Sequence, residues 1–76
     1  MAIEGMKFVP ERLEVATGDV VTWVNKDLVP HTVTAPGVES GAIAPGASWK
    51  FVARRAGEVQ YVCRFHPTMK AVLVVK

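Results

Sequence analysis

The sequence predicts a small all-β domain, a sandwich or a barrel. Three observations predict it. Apolar residues recur with a period of two rather than a helical period. β-branched and aromatic residues crowd into short runs. Turn formers separate those runs, and no window makes a convincing amphipathic helix.

The elements are taken in chain order. Ile3, Met6 and Phe8 give an irregular opening strand, with Met6 as a gap filler in the core. Leu13, Val15 and Ala16 lead to the Gly18-Asp19 turn. Val20-Val21-Thr22-Trp23-Val24 forms the next strand. Pro30 precedes a strand over His31-Thr32-Val33-Thr34. Residues 36–46, PGVESGAIAPG, lack a strand pattern and read as a surface loop crossing the edge of the fold. Trp49-Lys50-Phe51-Val52 and Val59-Gln60-Tyr61-Val62 come next, with a turn at Gly57 between them. Ala71-Val72-Leu73-Val74-Val75 closes the chain. Trp23, Trp49, Phe51, Tyr61 and Leu73 are the expected core, because alternating strands bury one face.

Length and composition set the bounds. Seventy-six residues make one domain, 1–76. A core this small supplies only ~3–5 kcal/mol of net stability without a staple. A single cysteine rules out a disulfide within the chain, which leaves a bound metal as the available staple. No apolar run is long enough to span a membrane. The opening MAIEGMKF lacks a basic stretch followed by an apolar one, so the sequence itself carries no secretory signal. It reads as a cytoplasmic chain, or as a mature form or fragment given a start methionine. The net charge of +2 is small, and Arg54-Arg55 is the only adjacent basic pair. The clustered basic stripe of a nucleic-acid binder is missing.

The chemistry gathers in CRFHPTM, residues 63–69. Cys63 shares the inward face of Val59 and Tyr61, so it ends a strand with its thiol toward the core. Alone, it reads as a buried thiol acting as a small hydrophobe. His66 and Met69 come after it at intervals of three. An extended strand would throw Cys63 and His66 to opposite faces, and Pro67 opposes a helix. A loop closing on itself remains, and such a loop can aim all three side chains at one point. Alone, His66 reads as an exposed loop histidine and Met69 as a core methionine. His31 decides between these readings. It stands at the mouth of a strand able to pair antiparallel with the strand ending at Cys63. Strand ends of a sandwich gather at one pole. Both histidines then meet the only cysteine there.

Two imidazoles, a thiolate and a thioether make a soft nitrogen-and-sulfur set. Zinc prefers a closed tetrahedron and has little use for a thioether. Calcium and magnesium take oxygen. A trigonal His₂Cys set with a weak axial methionine is the blue-copper pattern.

The chain resembles the cupredoxins, and within them the amicyanin and plastocyanin group. The matching segments are GDVVTWVNKDLVPHTV (18–33), GEVQYVC (57–63) and CRFHPTM (63–69). The short Cys-x-x-His-x-x-Met loop, with proline after the histidine, is amicyanin-like. The resemblance implies a Greek-key β-sandwich of about seven to eight strands. It implies one copper ion, with His31, Cys63 and His66 as equatorial ligands and Met69 as the axial one. Two positions depart from the pattern. Thr32 stands where the family often has an asparagine that braces the site, and a hydroxyl can serve there. Val62 stands where many plastocyanins place an aromatic used in a remote electron path, so that path is not expected.

The function expected is one-electron transfer by a type 1 copper centre cycling Cu(II)/Cu(I), with His66 as the electron port. Phe65 and Pro67, with Pro36 and Pro45, are the expected contact patch. Partners would be transient redox proteins, with Arg64 and Lys70 suiting an acidic surface or serving as ordinary solvated charges. The resemblance also implies a monomer in an extracytoplasmic compartment such as the periplasm. The rival readings are a copper carrier or store, and an electron-transfer domain trimmed from a larger copper enzyme. An enzyme is not expected. Cys63 and His66 are badly spaced for a hydrolase, and no GxSxG, HExxH or phosphate-cradling motif occurs.

Overall fold

Nine strands form two sheets in the computed structural model, which describes Met1–Lys76. One sheet has the order β2-β1-β4-β7, with β1 Ala2–Glu4, β2 Lys7–Val9, β4 Val20–Asn25 and β7 Ser48–Val52. The other has the order β3-β9-β8-β5-β6, with β3 Arg12–Val15, β5 Thr34–Ala35, β6 Val38–Glu39, β8 Gly57–Cys63 and β9 His66–Val75. The two sheets face each other as a sandwich. The chain crosses repeatedly between sheets, and β1 with β4 and β3 with β9 pair in parallel.

The period-two pattern decides which side chains meet between the sheets. Val21 and Trp23 point inward from β4, Tyr61 and Cys63 from β8, and Met69, Leu73 and Val75 from β9; all are buried. The aromatic centre is Tyr61. Its ring meets Phe8 edge-on at 4.7 Å and Trp23 edge-on at 5.5 Å. Trp23 Nε1–H donates to the Tyr61 hydroxyl at 3.3 Å, which satisfies both polar tips inside the core. Burial pushes the Tyr61 hydroxyl up to about 12, against a smaller opposite effect of the Trp23 hydrogen bond.

Several expectations need correction. The opening strand is two strands joined by a turn at Gly5-Met6. Met6 sits in that turn at φ 60 and is exposed, so it fills no gap in the core. Trp49 and Phe51 are only partly buried, because β7 is an edge strand with one open side. His31–Thr34 is not a strand. Only Thr34 and Ala35 join the sheet, while His31 makes an isolated bridge to Ile43. Residues 36–46 are more than a surface loop, since they contain β6 and bury Ile43. Val38 and Ile43, set apart among glycines, prolines and small residues, gave no periodic signal.

Candidate metal centre

The strand β4 ends at Asn25, and this fully buried residue organises the irregular segment that leads to His31. Its side-chain amide donates to the carbonyls of Val29 at 2.9 Å and Ile43 at 2.8 Å. Its side-chain oxygen accepts the Asp27 N–H at 2.9 Å. The segment between β4 and His31 is therefore tied down from inside. His31 then docks against Ile43 through N–H···O contacts of 3.2 and 2.7 Å in the two directions.

This places the His31 ring wholly inside the protein. Nδ1 faces the Cys63 sulfur at 3.5 Å. Nε2 faces Asp27 Oδ2 at 2.8 Å. Burial opposes the charge on Asp27, yet the Met6 amide, His31 and the Gly5 amide outweigh it and hold the carboxyl below its ordinary value. Sequence reasoning missed Asp27. Its only signal was an acidic residue four positions before a histidine, a spacing that has no meaning in an irregular segment.

Cys63 is free and fully buried at the end of β8. Its sulfur also accepts the Thr32 N–H at 3.4 Å. The Thr32 hydroxyl accepts the Arg64 N–H at 2.8 Å. It lies 2.8 Å from the Thr34 hydroxyl, which donates onward to Glu39 at 3.0 Å. Because Thr34 spends its one proton on Glu39, Thr32 must donate to Thr34. The chain Arg64 N–H, Thr32, Thr34, Glu39 runs in one direction, which strengthens each link. Thr32 thus braces the segment carrying His31 against the turn carrying Cys63.

The expected loop between Cys63 and Met69 is a tight hairpin. Arg64-Phe65 form the turn, and His66 opposes Cys63 across it. The register then jumps, since Val62 opposes Lys70. Pro67, Thr68 and Met69 have no partners on β8, so the N–H that Pro67 lacks costs no ladder bond. His66 is half-buried, with its ring edge-on to His31 at a centroid distance of 5.4 Å. Met69 is buried in the same apolar cluster as Cys63. No three His, Cys, Asp or Glu side chains are drawn into a closed metal-holding group as the chain stands. The contacts join His31 to Cys63 and His31 to His66, and Met69 joins them through burial alone.

The donor set nevertheless suits a soft metal ion. A metal holding nitrogen at roughly 2.0 Å and sulfur at roughly 2.3 Å, at a wide angle, keeps those donors about 3.5 Å apart. The Nδ1–Sγ separation of 3.5 Å equals that value.

The rest of the surface corrects the expected contact patch. Pro36 lines a cleft with Arg54, Val59 and Val75, at the end of β8 remote from Cys63. It cannot share a patch with Phe65. The exposed apolar side chains of the molecule include Leu28, Val29 and Phe65. Arg64 is ion-paired with Glu39 at 3.6 Å, and its guanidinium lies over the Phe65 ring.

Residues 1–75 match the family of the cupredoxin-like domain. Amicyanin-alpha of Methylorubrum extorquens is 32% identical over 97% of this chain and 68% of its own length. Amicyanin of Paracoccus denitrificans is 35% identical over 97% of this chain and 62% of its own length. The chain thus spans roughly two thirds of these relatives. Among solved structures, the oxidized state of an amicyanin mutant superposes with a TM-score of 0.95 at 29% identity, covering 99% of this chain and 78% of that one. The Cu(I) form of another amicyanin mutant gives the same values. A match running from the first residue to Val75, on a sandwich that overlays amicyanin this closely, makes this chain a member of the cupredoxin-like domain family.

Proposed function

We propose that this chain is a one-electron carrier built on a single copper ion held by His31, Cys63 and His66, with Met69 as a weak fourth donor. The observation that carries the reading is a buried cysteine sulfur 3.5 Å from the Nδ1 of a buried histidine, with a backbone N–H aimed at that sulfur. Likeness to amicyanins, including a Cu(I) form, supports it. When bound, copper supplies reversible one-electron chemistry.

The residues of the chain supply the rest. Cys63 is tethered by β8 and His31 by Asn25, Ile43 and Asp27, so neither donor moves far when charge arrives. The Thr32 N–H draws electron density from the sulfur, which steadies the thiolate. His66 is the half-buried member of the set, and its neighbours Phe65 and Pro67 are exposed. Electrons enter and leave across the His66 edge, through an apolar contact small enough for partners to separate quickly. Lys70 is exposed beside this region and favours an acidic partner surface. Residues 1–76 act as one domain and as a monomer, and the family likeness supports a place outside the cytoplasm.

The test is a Cu(II) titration followed in the visible spectrum. An intense thiolate-to-copper charge-transfer band, absent in Cys63→Ser, is expected. A colourless copper-loaded protein, or a band that survives in Cys63→Ser, overturns the proposal.

A further inference from the structure

Asp27 joins His31 to a part of the molecule that carries none of the four candidate donors. Its Oδ1 accepts the Gly5 N–H at 2.7 Å, and its Oδ2 accepts the Met6 N–H at 3.0 Å. Gly5 and Met6 are the turn of the β1–β2 hairpin, at φ 63 and φ 60. A non-glycine residue in this left-handed region is uncommon. Here the conformation turns two successive amides toward one carboxylate, as in the backbone cradles that hold anions. The same Oδ2 faces His31 Nε2 at 2.8 Å.

The consequence concerns the proton on the imidazole. An ionised carboxylate only accepts hydrogen bonds, so Nε2 must donate to it. A neutral imidazole has one proton, and with Nε2 protonated the lone pair is on Nδ1. Nδ1 is the atom that faces Cys63. The carboxylate therefore selects the tautomer and fixes the ring orientation. The hairpin turn in turn fixes the carboxylate.

We infer that Asp27 is the positioning residue for His31, and that the Gly5–Met6 turn tunes the metal centre by holding Asp27 in place. The tautomer half stands on contacts within the metal-free chain, and the tuning half rests on the copper reading above.

The experiment has two readouts. The first is the His31 tautomer in metal-free protein, by long-range ¹H–¹⁵N correlation. The unmodified chain is expected to show the Nε2–H form alone. In Asp27→Asn one oxygen becomes NH₂, so either the Gly5 or the Met6 amide loses its acceptor. The orientation that keeps Gly5 turns NH₂ toward the ring and moves the proton to Nδ1, and a mixture of the two tautomers is expected. The second readout is copper affinity by competition with a chelator. Asp27→Asn is expected to weaken it about 10–100-fold, the usual effect of losing the partner of a ligand histidine. Gly5→Val strains the turn without touching the ring, and is expected to shift both readouts the same way by a smaller amount. An Nδ1–H tautomer in the unmodified chain overturns the inference, even if the variants fail to fold. So does an Asp27→Asn protein with unchanged tautomer and with affinity within twofold of the unmodified chain. A chain that binds no copper defeats the copper reading and the tuning half, while the tautomer still decides the role of Asp27.

Discussion

The backbone N–H of Thr32 points at the sulfur of Cys63 across 3.4 Å, while the hydroxyl of the same threonine holds the amide of Arg64, the next residue after that cysteine. One residue thus grips both the sulfur and the turn that delivers it. Thr32→Val keeps the shape and the N–H but removes the hydroxyl. The Arg64 N–H is then left without its partner, at a cost of about 1–3 kcal/mol. Urea melts of the two proteins measure this. The tautomer of His31 should not change, since Asp27 is untouched.

Asn25 should matter more. It is fully buried and satisfies two carbonyls and one amide around the segment that carries His31. Asn25→Ala removes all three contacts. A loss of about 2–4 kcal/mol is expected, a large share of what so small a core supplies. Hydrogen exchange at the Asp27 amide should accelerate well before global unfolding. Unchanged protection there would show that the segment is held by Ile43 alone.

Tyr61 gives the protein an alkaline weakness. Its folded-state value near 12 lies above the ordinary value of 10.0. The unfolded chain therefore loses the phenolic proton first. The contribution is complete below pH 10 and falls as pH rises through 12, by about 2–3 kcal/mol. Denaturant midpoints between pH 9 and pH 12 measure the slope. Tyr61→Phe should flatten that part of the curve, although its Trp23 N–H then lacks an acceptor.

Removing copper should lower the melting temperature. An ion that binds only the folded chain adds about 4 kcal/mol when present at a thousandfold excess over its Kd. For a domain of this size each 1 kcal/mol moves Tm by roughly 4–8 °C. Scanning calorimetry with and without a chelator makes the comparison. Equal melting curves would mean that the donors do not form a site in the folded chain.

The sequence displayed the strands that bury one clean face. Val59, Tyr61 and Cys63 alternate without interruption, so the inward thiol could be read directly, and it is buried. Val20–Val24 was equally legible, and the strand runs one residue further, to Asn25. The N-terminal hairpin was not, because Ile3 and Phe8 are inward on separate strands and Met6 between them reads as part of one irregular strand. The His31 segment failed for another reason. His31, Thr32 and Val33 are all buried in succession, with their polar groups satisfied by side chains and by scattered backbone contacts to Ile43 and Ser40 rather than by a continuous ladder. A pattern rule sees β-branched residues there and assigns a strand. The proximity of His31 to Cys63 was legible from the crowding of strand ends at one pole. Asp27, Asn25 and the direction of the hydroxyl chain were not, because polar contacts between irregular segments have no period.

The pairing of β3 with β9 places Leu13 beside Leu73, which joins one end of the chain to the other. A ribosome making this protein releases β3 long before its neighbour exists. All four candidate donors precede Leu73 in order of synthesis, so each has been made before the second sheet can close. Non-local pairing of this kind slows folding. Copper offered to a refolding chain would therefore meet its donors while that sheet is still open.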